Sequence, residues 1–479
     1  MINNKALISK WFSILFLLLY MQSTSAQTNK KYNVLFIAVD DLNDWVGPLG
    51  GYKGVKTPNI DKLAKQGMNF TRAYCSAPLC NPSRASLLTG VRPYTSGVYN
   101  NAQPFRKALP DAITLPQYFT VNGYEVYGAG KIFHERFYDS ASWVVQQDRT
   151  LIGSPFALVQ KFKTSENVIG AFDWYPLPVE DEETIDFKIV QKGIDFLQTK
   201  HDKPFFLAIG ISKPHLPWYV PKKYFDLYPL SEIKLPKTIP DDTIDLPATG
   251  RRMAAGHGEI SDPIDLHQWV VDNKKWEEAV RAYLACISFA DAQLGRLMEA
   301  FEKSPYAKNT IIVFFGDHGF NLGEKRHWTK SALWESTTRS PLIIIAPGIT
   351  KSNSTCERTV NLMDIYPTLI ALCNFSKKEG IEATDITPLL KNPKIEWDHP
   401  SVTTMRKGNH AVRTERWRYI RYNDGGEELY DHDADPNEWN NLAKDPKYAE
   451  TIKKLAEWLP KNNANPAPGI NAASANNNQ

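Results

Sequence analysis

The chain has little cysteine: five residues in 479, at positions 75, 80, 286, 356 and 373. So few, so far apart, they exclude a disulfide scaffold and a zinc site built from closely spaced cysteine pairs. Net charge is also scarce, since 56 Lys and Arg against 53 Asp and Glu leave a formal +3. With no basic stripe or strongly basic segment, a nucleic-acid partner is excluded. An anionic ligand must be met by local cations. No apolar run reaches the ~20 residues of a membrane-spanning helix, and no internal repeat is present.

What remains is ordinary globular composition, 42% hydrophobic, and enough length for one large domain with an appendage, or two domains. The start is different. Lys5 and Lys10 precede an apolar run at 11–20, and Ser23-Thr24-Ser25-Ala26 closes it with small residues. That is the shape of a signal peptide over 1–26, so the mature protein is expected to be exported, periplasmic or secreted, without stable membrane insertion. Cleavage removes the two lysines and takes the formal charge from +3 to +1. Outside the cytoplasm one or two disulfides are permitted, with the pairing open; Cys286 lies in a helical pattern and reads as core.

Short apolar runs at 34–39, 125–129, 205–211, 310–315 and 342–346 read as buried strands, and 59–66, 115–122, 184–199 and 277–301 carry helical periodicity. This alternation predicts an α/β sandwich around a mainly parallel sheet. In such sheets ligands lie beyond the carboxyl ends of strands. Polar residues cluster there: Asp40-Asp41 after the first strand, Lys131 and His134 after the second, Lys213 and His215 after the third, Asp317-His318 after the fourth. We expect a main domain over 27–395, a small α+β subdomain over 396–460, and a disordered Asn-, Ala- and Pro-rich tail over 461–479. The subdomain shows strand-like pieces at 411–413, 417–422 and 428–430 and a helix near 448–458. The Pro- and Asp-rich stretch 219–275 reads as an irregular insertion of the kind that builds substrate pockets.

The most specific run is Cys80-Asn81-Pro82-Ser83-Arg84, followed by Leu88-Thr89-Gly90. Proline and the glycine-free residues after it read as a helix started by Pro82, whose N-terminus favours an anion. The paired Asp40 and Asp41 suit a hard divalent cation. Further along come Gly130-Lys131-Ile132-Phe133-His134, Lys213-Pro214-His215-Leu216-Pro217, Asp317-His318-Gly319 with Leu322-Gly323-Glu324, and His327-Trp328-Thr329-Lys330. In these motifs and their order, from about 34 to 442, the chain resembles the type I sulfatases, and most closely the iduronate-2-sulfatases and their bacterial relatives.

The resemblance implies an alkaline-phosphatase/sulfatase-like sandwich with a large mixed sheet. It implies that a maturation enzyme oxidises Cys80 to Cα-formylglycine (3-oxoalanine). One hydroxyl of the aldehyde hydrate attacks sulfur and displaces the alcohol; deprotonation of the other expels sulfate and restores the aldehyde. One Ca²⁺ would be held by Asp40, Asp41, Asp317, His318 and residue 80, with His318 where many members carry Asn. Lys131 and Lys330 would bind sulfate, Arg84 would support the nucleophile's pocket, His134 would be the base that releases sulfate, and His215 the general acid for the leaving oxygen. The expected substrate is a sulfated polysaccharide or oligosaccharide, with algal and uronic-acid-containing glycans as candidates. Asn100, Asn101, Trp218, Arg252 and His257 are candidate sugar contacts. Two other readings stand beside this one: a phosphomonoester or phosphonate hydrolase of the same superfamily, and a non-catalytic binder of sulfated glycans. The intact cysteine motif argues against the first, and the full set Arg84, Lys131, His134, His215 and Lys330 against the second.

Overall fold

A computed structural model describes residues 31–134, 137–143, 171–256 and 265–470. Seven strands form the main sheet: β1 (Asn33–Val39), β2 (Met68–Phe70), β3 (Glu125–Gly130), β4 (Phe205–Ile211), β5 (Thr310–Gly316), β6 (Leu342–Ile345) and β7 (Ser354–Cys356). Their spatial order is β7-β2-β6-β5-β1-β4-β3. The pairings β1–β4, β1–β5, β3–β4 and β2–β7 are parallel, while β6 runs antiparallel to both neighbours. Every residue of β1, β4 and β5 is buried, which explains why these strands read as continuous apolar runs with no alternation.

Both faces are covered. The principal helices are α1 (Pro58–Gln66), α2 (Cys80–Thr89), α3 (Leu115–Val121), α4 (Ile185–Gln198), α5 (Trp276–Lys303), α6 (Ile365–Leu372) and α7 (Ala449–Ala456). Leu35, Ile37 and Val39 of β1 share one core with Ile189 and Ile194 of α4 and Leu294 of α5. On the opposite face, Phe119 of α3 packs its ring 4.6 Å from that of Phe206. The long helices start where the sequence says they should: Thr184 caps α4 by accepting from the Phe187 N–H at 3.4 Å.

Register brings the polar residues together. Val39 lies opposite both Ile211 and Gly316, and Gly130 opposite Gly210. The chains leave the sheet at one level: the Asp40 N–H donates to Ile211, Lys131 to Gly210 and Asp317 to Val39. The exit of β3 is tight. Gly130 has a φ of 78°, and a Cβ on it would meet the Gly210 carbonyl oxygen at 2.0 Å, so only glycine fits.

The C-terminal sheet is an antiparallel meander of β8 (Ser401–Thr404), β9 (His410–Arg413), β10 (Trp417–Arg421) and β11 (Glu427–Asp431). Leu455 of α7 packs in one cluster with Val402, Val412, Tyr419 and Leu429. Several sequence expectations need correction. The stretch 219–275 is not simply irregular: it contains helices at Lys222–Phe225, Ala248–Ala255 and Leu266–Asp272. The five cysteines, whose pairing the sequence leaves open, are all buried and unpaired. Residues 461–470 of the expected disordered tail are ordered, because Ala464, Ala467 and Ile470 donate backbone hydrogen bonds to Tyr94, Gly97 and Ala102; composition does not report such bonds. The predicted signal segment 1–26, residues 471–479 and His257 lie outside the described residues. No helix among the described residues is long and apolar enough to cross a membrane.

Candidate active site

Cys80 is the first helical residue of α2, after an extended Leu79. The helix therefore starts two residues before Pro82, but the proline still sits in the first turn, where an N–H has no intrahelical partner to lose. Gly90, left-handed with a φ of 77°, ends it. The helix N-terminus is aimed at the strand ends, and Ser83 Oγ donates to the Asp317 carbonyl at 2.6 Å. Around Cys80 Sγ stand Lys330 Nζ at 3.0 Å, His318 Nε2 at 3.4 Å, Asp41 Oδ1 at 3.7 Å and Lys131 Nζ at 3.9 Å. Burial and the nearby Asp40 push the thiol well above its ordinary pKa despite both lysines. As a plain cysteine it is a poor nucleophile.

Three carboxylates and three cations interlock here. Arg84 bridges Asp317 (2.8 Å) and Asp40 (3.0 Å), Lys131 pairs with Asp40, and Lys330 donates to both oxygens of Asp41 at 2.9 and 3.2 Å. Burial alone would raise the Asp40 carboxyl, but Lys131, His215, Arg84 and Lys330 together hold it well below the usual carboxylate range. Asp41 has a φ of 59°, a left-handed conformation that costs a non-glycine residue roughly 1–2 kcal/mol. Two bonds hold it there: its N–H donates to Asp317 Oδ1 at 3.0 Å, and its carbonyl accepts from Tyr283 Oη at 2.7 Å.

Donor atoms of Asp40, Asp41, Cys80 and His318 lie within 4.8 Å of one another. Carboxylate oxygens and one imidazole, all buried, suit a hard divalent cation, and an oxygen at position 80 would suit it better than sulfur. Asp317, expected as a further ligand, stands beside this quartet with its oxygens engaged by the Asp41 N–H and by Arg84. Its carboxyl is raised by burial, against the pull of Arg84.

His215 and His134 flank the cluster. His215 Nδ1 lies 2.5 Å from the Leu216 carbonyl, which can only accept, so Nδ1 carries the hydrogen. Nε2 then faces Asp40 and Asp41, 4.0 Å from an oxygen of each, and donates only when the ring is protonated. Lys213 braces this turn, donating to the His215 carbonyl at 3.0 Å and to that of Pro217. His134 is half-buried, and its Nδ1 finds no hydrogen-bond partner among the described residues. Burial and Lys131 depress its pKa well below the ordinary value.

Of the sugar-contact candidates, Asn101 reaches the site: its Oδ1 accepts from the Asn81 N–H at 2.9 Å. Asn100 is exposed beside it, and its carbonyl accepts from Asn81 Nδ2 at 2.9 Å. Trp218 is fully buried in the core, and Arg252 is an exposed residue paired with Asp424; neither is brought to Cys80. No sequence signal marks Tyr283, which sits among core residues of α5, or Ser83, whose role shows only once α2 is seen against β5.

Against known proteins, the sulfatase family model matches residues 32–375, and the model described as N-sulphoglucosamine sulphohydrolase, C-terminal, matches 323–465. A sulfatase of Formosa agariphila is 39% identical over 94% of this chain and 92% of its own length. Human iduronate 2-sulfatase is 32% identical over 69% of this chain and 62% of its own. Among solved structures, a 2-O GAG sulfatase superposes with a TM-score of 0.70 at 23% identity, covering 89% of this chain and 90% of that one. With the cysteine motif at a helix N-terminus, the cations around it and a family match over most of its length, the chain belongs to the sulfatase family and is a sulfuric ester hydrolase.

Proposed function

We propose that the enzyme is an exported carbohydrate sulfatase acting on a sulfated polysaccharide or oligosaccharide that contains uronic acid. The observation that carries the reading is the environment of residue 80: Lys330, His318, Asp41 and Lys131 all stand within 3.9 Å of Cys80 Sγ at the start of a buried helix. The relatives named for iduronate 2-sulfate and for 2-O GAG sulfate support the sugar class. Lys5, Lys10 and the apolar run after them support export.

The roles follow from charge and position. Lys131 and Lys330 neutralise the sulfate oxygens, and Arg84 fixes Asp40 and Asp317 so that neither moves as charge develops. Asp40, Asp41, Asp317, His318 and residue 80 would hold Ca²⁺. Once converted to formylglycine by a maturation enzyme, residue 80 would supply the attacking hydroxyl, and the bound cation would polarise a sulfate oxygen. His215, donating from Nε2, protonates the departing sugar oxygen, and His134 accepts the proton whose loss releases sulfate. Neutral at rest through burial, His134 is suited to accept.

Intact-mass analysis of purified protein reads the cysteine-to-aldehyde conversion directly. Free-sulfate release is then measured on an aryl sulfate, on uronic-acid 2-O-sulfated oligosaccharides, on other sulfated glycans and, in parallel, on a phosphonate monoester. Turnover of the sulfated sugars is expected. Hydrolysis of the phosphonate ester alone, or unmodified Cys80 with no turnover of any ester, would overturn the proposal.

A further inference from the structure

The last described stretch of chain, 463–470, lies as a strap along the loop 94–103. Its hold is mostly backbone: Ala464 and Ala467 donate to the Tyr94 and Gly97 carbonyls at 2.8 Å, and Ile470 donates to that of Ala102 at 2.9 Å. Gly97 is shaped for this. It has a φ of 76°, and a Cβ there would come within 2.2 Å of the Asn465 carbonyl oxygen.

Gln103, only 3% exposed, joins the strap to the catalytic helix. Its Nε2 donates to the Ala467 carbonyl at 2.7 Å, while its Oε1 accepts from the N–H groups of Tyr99 at 2.7 Å and Asn100 at 3.0 Å. Its own carbonyl accepts from Asn81 Nδ2 at 2.7 Å, and Asn81 is bonded to Cys80. Just beyond, Phe105 lies flat on Phe133, ring centres 5.5 Å apart and planes 8° apart; Phe133 precedes His134. One loop thus grips both the nucleophile's turn and the His134 turn, and the strap grips the loop from behind.

We propose that the strap is a working part of the active site and that Gln103 is a positioning residue, setting residue 80 and His134 relative to each other. This rests on the reading of residue 80 as the nucleophile. The expectation is kinetic because a misplacement of about 1 Å costs up to ~100-fold in rate.

The test uses two full-length variants. Gln103→Glu keeps the acceptor oxygen for Tyr99 and Asn100 but replaces the donor to Ala467 with an oxygen; Gly97→Ala dislodges the strap without touching Gln103. Each should lower kcat on an aryl sulfate about tenfold with KM within about twofold. Amide exchange should rise at 463–470, at 98–103 and at Asn81. The double variant should be no worse than the poorer single variant, because both changes break one linkage. Parental kcat in both variants, with or without a lowered Tm, would overturn the proposal, and so would losses that multiply. If the parent turned over no sulfate ester, the reading of residue 80 would fall, and the exchange data would still decide the strap: unchanged protection at Asn81 would sink it.

Discussion

Around Cys80, three cations face three carboxylates, and Lys330, Lys131 and Asp41 all reach one sulfur. Beneath the C-terminal sheet a second buried cluster of similar composition closes on itself. There Arg418 pairs with Glu335 and Glu438, Arg413 pairs with Glu335, His432 with Glu438, and Lys325 with Asp242. Glu335, His432 and Glu438 could in principle hold a metal ion, but the Arg418 guanidinium already supplies the positive charge between the two carboxylates. Buried charge alone therefore does not mark a catalytic centre. The difference is where the charges point: at a reacting position in one cluster, at each other in the other.

The comparison breaks most visibly at Cys80. Cys80→Ser should fold with a Tm near the parent's and lose turnover by about three orders of magnitude or more, since a serine can attack but leaves itself sulfated. Near-parental multiple turnover, with mass analysis showing unconverted serine, would refute the mechanism. Asp317→Asn should come next, lowering activity by more than about a hundredfold and weakening Ca²⁺ binding measured by calorimetry. It removes charge while keeping an acceptor for the Asp41 N–H. Unchanged metal affinity would place Asp317 outside the ligand set, in keeping with its engagement by Arg84.

Much of this was legible in the sequence, for identifiable reasons. The central strands are buried on both faces, so they announce themselves as apolar runs, and their polar successors share one level because the register is parallel. Other features carry no such signal. Met68–Phe70 and Ser354–Cys356 are three residues each, too short for any periodicity. Ser401–Thr404 has one apolar residue and is a strand only because β9 pairs with it. Tyr283 reads as helix core, and only its hydroxyl, 2.7 Å from the Asp41 carbonyl, gives it a role. Arg418 sits in a strand with arginine at both 418 and 421, and nothing local says that the first is fully buried while the second is partly exposed.

His215→Ala separates two roles that the geometry allows. If Nε2 protonates the leaving oxygen, loss on a sugar sulfate should be about a hundredfold, the lower end of the usual scale for acid–base catalysis, while an activated aryl sulfate should lose about tenfold or less. Equal losses on both substrates would reassign His215 to sulfate binding.

The smallest expected effect on turnover belongs to the second cluster, and it tests the other half of the comparison. Arg418 is fully buried, and besides its two carboxylate partners it donates to the Leu333 carbonyl at 2.8 Å. Arg418→Met keeps the apolar stem and removes the charge, leaving the buried Glu438 and the largely buried Glu335 with fewer counterions. Breaking such a set costs about 3–5 kcal/mol, so the denaturation midpoint should fall sharply while kcat of the folded enzyme stays within about twofold. The pH dependence has a definite sign. Burial by itself would raise both carboxyls, but Arg413, His432, Arg418 and Arg339 hold Glu335 well below the ordinary 4.5, and Arg418 and His432 hold Glu438 below it as well. Carboxyls depressed in the folded state contribute stability that is present above the unfolded value and is lost as pH falls through the folded ones. The gap in stability between parent and variant should therefore be full at neutral pH and close as pH falls below about 4.5, read as urea midpoints across an acid series. A gap that did not change with pH would mean that Arg418 acts through packing rather than charge. A tenfold loss of kcat in the folded variant would mean that the two clusters are coupled, and the contrast between them would fail.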